Sequence, residues 1–266
     1  MNIYLELTRA FNAGRLRAII SSGQAVVLHR LAIMSKDGDW ILHEDEETTH
    51  HVLRVLESYG ARYRFGAPLD MRWLAGGWSA HFEFRHGELR VRTDFVTRPP
   101  RLSEAQLATL WEQNAHAETP VTDVASLVEI KKTNREKDYV VIGELARRLT
   151  NPREQLLCSR SAQDLTRLTG QHPALTAALA AQRPLLAEVG KNREAVEAAL
   201  DAERRVLIHT NERRLAGYLS ASKTWAQKWP EVERLMTALP LVEAHQQMVA
   251  HAERFLPFQP LSEASE

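Results

Sequence analysis

The chain has 266 residues, 34 basic and 34 acidic side chains and one cysteine. This length admits one large domain or two ordinary ones, with ample core for either. A formal net charge of zero lacks the basic excess of a general nucleic-acid binder and leaves room only for a local patch. The single Cys158 excludes an intramolecular disulfide and a multi-cysteine zinc site; it reads as a small buried apolar residue.

In chain order, the opening residues MNIYLELTRAFNAG lack the basic-then-apolar signature of a signal peptide, and Leu5, Leu7 and Phe11 read as one face of a first helix. No apolar run reaches the length of a membrane span, so no membrane partner and a cytoplasmic location are expected. The apolar Ala18-Ile19-Ile20, the turn Ser21-Ser22-Gly23 and the run Gln24 to His29 then read as strand, tight turn and helix. A glycine at such a turn lets the backbone approach a ligand, and the first amides of the helix favour an anion such as phosphate.

The next segment, DGDWIL from Asp37 to Leu42, alternates and ends on apolar residues, as a strand does. Residues two apart on a strand share a face, so Asp37 and Asp39 converge. Paired carboxylates suit Mg²⁺, which takes one or two of them together with substrate phosphates. A phosphate turn followed by a carboxylate pair points to nucleotide chemistry.

These residues resemble the nucleotidyltransferase superfamily, whose fingerprint is a Gly-Gly or Gly-Ser turn, a spacer of about a dozen residues, then Asp-x-Asp or Asp-x-Glu on a strand. Here the turn is Ser22-Gly23, the spacer runs from Gln24 to Lys36, and the pair is Asp37-Gly38-Asp39. The chain is most similar to bacterial members that include toxin-like and antibiotic-modifying enzymes. Two departures stand out: serine replaces the first glycine, and Gly38 replaces the usual apolar residue between the aspartates.

The resemblance implies a third carboxylate on a neighbouring strand. Trp78 to Arg85 and Glu88 to Val96 both alternate around His86-Gly87, which reads as a hairpin with Asp94 mid-strand. Alone, such an aspartate faces solvent; beside the pair it becomes the third metal ligand. Before this hairpin, the run from His43 to His51 reads as the acidic first turn of a helix continuing through Val52, Leu53, Val55 and Leu56, in preference to a zinc site on Glu47 and His51. Ala61 to Phe65 reads as a strand, and Pro68 to Gly77 as a connection. Ser103 reads as the N-cap of a helix carrying Leu107, Leu110 and Trp111.

A further likeness to the superfamily lies in Leu127 to Asp138, where Lys131 is implied as a phosphate contact, and Lys137 and Arg135 lie in a basic segment that is otherwise a solvated loop. From about residue 151 strand signals vanish and helical ones dominate, over Leu165/Leu168, Ala174 to Leu186, Ala195 to Tyr218 and Val232 to Phe255. Arg204, Arg205, Arg213 and Arg214 are either cleft-facing or solvated. Trp225 and Trp229, at i,i+4, read as packing between helices.

The expected fold class is α+β: a nucleotidyltransferase-like mixed β-sheet flanked by helices over 1–150, followed by a mostly helical domain over 151–266. The implied activity is Mg²⁺-dependent transfer of an NMP from an NTP to a hydroxyl acceptor on tRNA, a protein or a small molecule, with pyrophosphate release. Asp37, Asp39 and Asp94 are the expected catalytic and metal-binding residues, with Ser22, Gly23, Lys131 and Lys137 on the nucleotide. The alternative is a non-catalytic binding protein or toxin-antitoxin component that keeps the fold.

Overall fold

The computed structural model describes residues 2–260. The chain divides into two units: one from the N-terminal residues to Thr122 together with the residues from Leu215 onward, the other Asp123–Arg214. Residue 150 falls inside the second unit.

The first unit holds a five-stranded sheet in the order β1-β2-β5-β4-β3. Its strands are β1 (Ala18–Ser21), β2 (Asp37–Leu42), β3 (Arg62–Tyr63), β4 (Ala80–His86) and β5 (Leu89–Val96). β2 and β5 are parallel, and the other pairings are antiparallel, so the sheet is mixed as expected. Residues 120–122 extend it beyond β1, where the Thr122 amide donates to the Ile20 carbonyl and the Ile20 amide to that of Pro120.

One face of the sheet makes the core. Trp40 stacks on Phe95 at 5.5 Å, and Phe11 meets both edge-on. The buried indole keeps a polar partner, as such groups require: its N–H donates to Thr8 Oγ1 at 2.9 Å. Phe11, Thr8 and Leu7 belong to α1 (Ile3–Phe11), whose buried line is Ile3, Leu7 and Phe11. Leu5, expected on that line, is half-buried instead, because a helix repeats every 3.6 residues and carries position 5 about 200° away from position 3.

α2 (Ser22–Leu28) follows β1 directly, with no separate turn. α3 (Glu46–Ser58) begins at the acidic run, where Asp45 caps the Thr48 amide. Glu47 accepts from Arg15 and Arg17, and His51 Nε2 lies 2.9 Å from the Ala10 carbonyl, so both are engaged otherwise than in a zinc site. The expected 61–65 strand is cut to Arg62–Tyr63, and the connection from Pro68 contains the short α4 (Met71–Leu74), capped by Asp70. α5 (Glu104–Asn114) starts at a capping box between Ser103 and Gln106.

In the second unit α6 (Val124–Lys131), α7 (Glu136–Ala146), α8 (Pro152–Cys158), α9 (Ala162–Gln171) and α10 (Pro173–Leu179) follow without strands, and Cys158 is a buried free thiol. Leu156, Leu165, Leu168, Leu179, Leu186 and Val196 form its core. The expected helix over 174–186 stops early, because Pro184 forces a new start in a 3₁₀ turn at Pro184–Ala187. α11 (Arg193–Ala221) carries the chain back to the first unit.

The expected 232–255 helix is likewise two, α12 (Lys223–Met236) and α13 (Leu241–Phe255), parted at Pro240. Trp225 and Trp229 are buried and meet edge-on, and the Trp225 indole donates to the Gly66 carbonyl. Among the described residues no helix is long and apolar enough to cross a membrane.

Candidate functional site

Strand register assembles a polar row on the face of the sheet opposite the aromatic core. Ser21 pairs with Asp39, Asp39 with Asp94, and Asp94 with His81. Directly paired residues project to the same side, and Asp37 and Arg92, paired with each other two residues back, join them. Asp37, Asp39 and Asp94 thus share one face of two adjacent parallel strands.

Asp37 and Asp94 sit in different environments. Asp37 Oδ1 is buried without a hydrogen-bond partner, although the side chain is 41% exposed, and Arg92 Nη1 approaches it only to 3.9 Å. An orphaned carboxylate oxygen is costly unless something binds it. Asp94 Oδ1 is already engaged, by His81 Nδ1 at 2.7 Å and Arg64 Nη1 at 3.4 Å. His81 Nε2 lies 2.8 Å from Ser79 Oγ, which extends the row into a Ser79, His81, Asp94 chain. Nearby, the Tyr4 hydroxyl donates to the Lys36 carbonyl; burial, with the negative charges of Asp37 and Asp39, pushes its phenol up.

Asp37 and Asp39 fit a hard divalent cation, because one presents an unsatisfied oxygen and both lie on one face. Among the described residues no group of three or more His, Cys, Asp or Glu side chains is arranged to hold a metal. An ion on the pair would complete its shell from phosphate and water, the habit of Mg²⁺. Asp94 is tied instead to two nitrogen-bearing side chains.

The two departures from the fingerprint have structural counterparts. Ser22 adopts φ 48°, the left-handed region that favours glycine, so the backbone keeps the shape for which glycine is suited. A Cβ on Gly38 would lie 2.5 Å from the rings of Trp40 and Tyr4. Those rings fill the space an apolar side chain would occupy. Gly23 abuts Ser35 in the same way.

A cavity of about 600 Å³ opens beside Asp37, lined by Tyr4, Gln24, Met34, Lys36 and Arg92 among others. Lys131 and Lys137 belong to the second unit. Lys131 is buried on α6, with Nζ 3.7 Å from Asp138 Oδ1; Lys137 is exposed on α7. Asp138 also accepts from Thr133 and Arg135. His81, Ser79, Arg64 and Arg92 escaped the sequence reading; only the alternation of the hairpin could have signalled three of them, by placing His81 and Arg92 on the face of Asp94 and Ser79 in line with His81.

No protein-family model matches the chain, and no curated protein matches it. Among solved structures, JHP933 from Helicobacter pylori is similar over 81% of this chain and 96% of that chain, at 14% identity and a TM-score of 0.38. At that score the likeness carries no inference about fold or function.

Proposed function

We propose that the chain is a Mg²⁺-dependent nucleotidyltransferase, with a nucleotidyltransferase-like sheet, that moves an NMP from an NTP to an acceptor hydroxyl. The observation that carries this reading is the register that sets Asp39 against Asp94, with Asp37 on the same face and its Oδ1 unsatisfied. Asp37 and Asp39 would hold the metal, which supplies charge neutralisation at the phosphates. Asp94, its Oδ1 fixed by His81 and Arg64, orients the acceptor hydroxyl and takes its proton. The acceptor oxygen bonds to the α-phosphorus as the bond to the bridging oxygen breaks and pyrophosphate leaves. Ser22 and the Gly23 amide at the β1–α2 junction are assigned to the phosphates. Lys131 and Lys137, which the sequence resemblance alone implies on the nucleotide, belong to the second unit, where Lys131 Nζ lies 3.7 Å from Asp138 Oδ1, and this reading gives them no role.

Asp39→Asn tests the assignment in the full chain, given each α-³²P-labelled NTP, Mg²⁺ and acceptors drawn from tRNA, cell proteins and small molecules. Wild-type transfer that the variant loses by at least about a hundredfold supports the proposal; undiminished transfer by a folded Asp39→Asn chain removes it. One observation favours a second reading, the non-catalytic binding or toxin-antitoxin component: Asp94 is partly neutralised by Arg64. Mg²⁺-dependent NTP binding with no transfer to any acceptor would select that reading.

A further inference from the structure

The face that carries the carboxylates becomes basic towards the other end of β5. Register pairs Arg62 with Glu83, Glu83 with Arg92, and Arg85 with Arg90, so all four arginines lie on the side of Asp94. Arg62, Arg85 and Arg90 line a cavity of about 820 Å³ with Tyr59, Gly60, Glu83 and Phe84. Among the described residues Glu83 is the one acidic group lining it. It is buried and divided between Arg62 Nη2 at 2.7 Å and Arg90 Nη2 at 2.5 Å, which hold these guanidinium groups in place while leaving them 75% and 60% exposed. Arg85 is exposed and makes no ion pair among the described residues. Three positive charges against one negative leave a local excess on a chain whose net charge is zero.

From this cluster Arg92 continues the positive row towards Asp37 and Asp94. Arg90 and Asp94 are four residues apart on one strand, about 13 Å. That is further than one phosphate group reaches. A ligand engaging both ends must carry a succession of anions; Arg62 and Arg90 give their Nε and Nη2 edges to Glu83 and meet such a ligand with their Nη1 groups and their charge, while Arg85 and Arg92 follow at strand spacing.

We infer that the Arg62, Arg85, Arg90 and Arg92 face binds the phosphodiester backbone of a single-stranded polynucleotide and leads it to the carboxylate row. The inference rests on the transferase reading only in making that strand the acceptor; the binding itself needs neither metal nor NTP.

The test is fluorescence anisotropy with the full chain and a labelled single-stranded RNA oligonucleotide, without Mg²⁺, across a salt series. Three or four phosphate contacts should give a log K against log[salt] slope of about −2 to −3, since each contributes roughly −0.7 for single strands. Arg85→Gln should make the slope shallower by about 0.7 and weaken low-salt binding several-fold, with an unchanged thermal melt because Arg85 makes no ion pair among the described residues. Arg92→Gln should make the slope shallower and weaken binding by similar amounts, and the Asp37→Ala/Asp39→Ala chain should bind at least as tightly as the wild type. No binding, a slope indifferent to Arg85→Gln and Arg92→Gln, or equal competition by a poly-glutamate peptide would each overturn the inference. RNA binding by this face without any transfer would retain the inference and remove the transferase reading; transfer to a small acceptor without RNA binding would do the reverse.

Discussion

Ser22 shows how one residue can keep the shape of a motif while changing its letter. A non-glycine residue at φ 48° gives up roughly 1–2 kcal/mol relative to the right-handed region, part of which glycine's larger unfolded-state entropy cancels. Ser22→Gly should therefore raise stability by about 0.5–1 kcal/mol, read as an upward shift in the urea midpoint. Gly38→Val, which restores the apolar residue of the fingerprint, should instead destabilise by about 1–3 kcal/mol, because the Trp40 and Tyr4 rings already hold that volume. A neutral Gly38→Val would mean that the rings move aside freely. The Asp37/Asp39 pair was legible because a period of two needs only the sequence, whereas Asp94 was singled out by the family resemblance. Of the partners of Asp94, His81 lies on the readable hairpin, but Arg64 does not, since it follows a two-residue strand whose pairing no local pattern announces.

Among elements, the contact between β3 and α13 carries a titratable group. With His245 neutral, the Tyr63 hydroxyl donates to Nδ1 at 2.8 Å while accepting the Leu69 amide. Burial lowers the His245 pKa to about 4; Asp70 opposes the shift, and His50 and Arg72 add to it. The ordinary value is 6.5, so between pH 6.5 and 4 the unfolded chain binds a proton that the folded ring refuses. Stability is then complete above about pH 6.5 and falls as the pH drops towards 4, by at most about 3 kcal/mol. Urea midpoints at pH 7.5, 5.5 and 4.5 should follow this trend, and His245→Gln should flatten it. An equally steep fall in His245→Gln would place the proton elsewhere. The sheet and most helices could be read from periodicity and caps. Single helices expected over 174–186 and 232–255 each proved to be two segments, because Pro184 and Pro240 sit inside apolar patterns that otherwise run straight through them.

For the whole molecule, the division by contacts follows neither sheet nor composition. Helical signals dominate from about residue 151, yet the second unit begins at Asp123, because α6 and α7 pack with the helices that follow them. Composition registers the type of element, not its neighbours. With Leu156, Leu165, Leu168 and Leu179 in a core of its own, the segment 123–214 made alone should unfold cooperatively by circular dichroism. Leu165→Ala should lower its stability by about 2–4 kcal/mol. A broad, featureless melt would show that this core does not suffice.

The first unit is interrupted in sequence, and this sets an order on its completion. Tyr63, the Gly66 carbonyl and Trp73 all find partners beyond residue 215, in His245, Trp225 and Leu256. On the ribosome the early strands must wait, with these groups unmatched, until the second unit has emerged in full. The part of the protein that is translated first is thus the last to be finished.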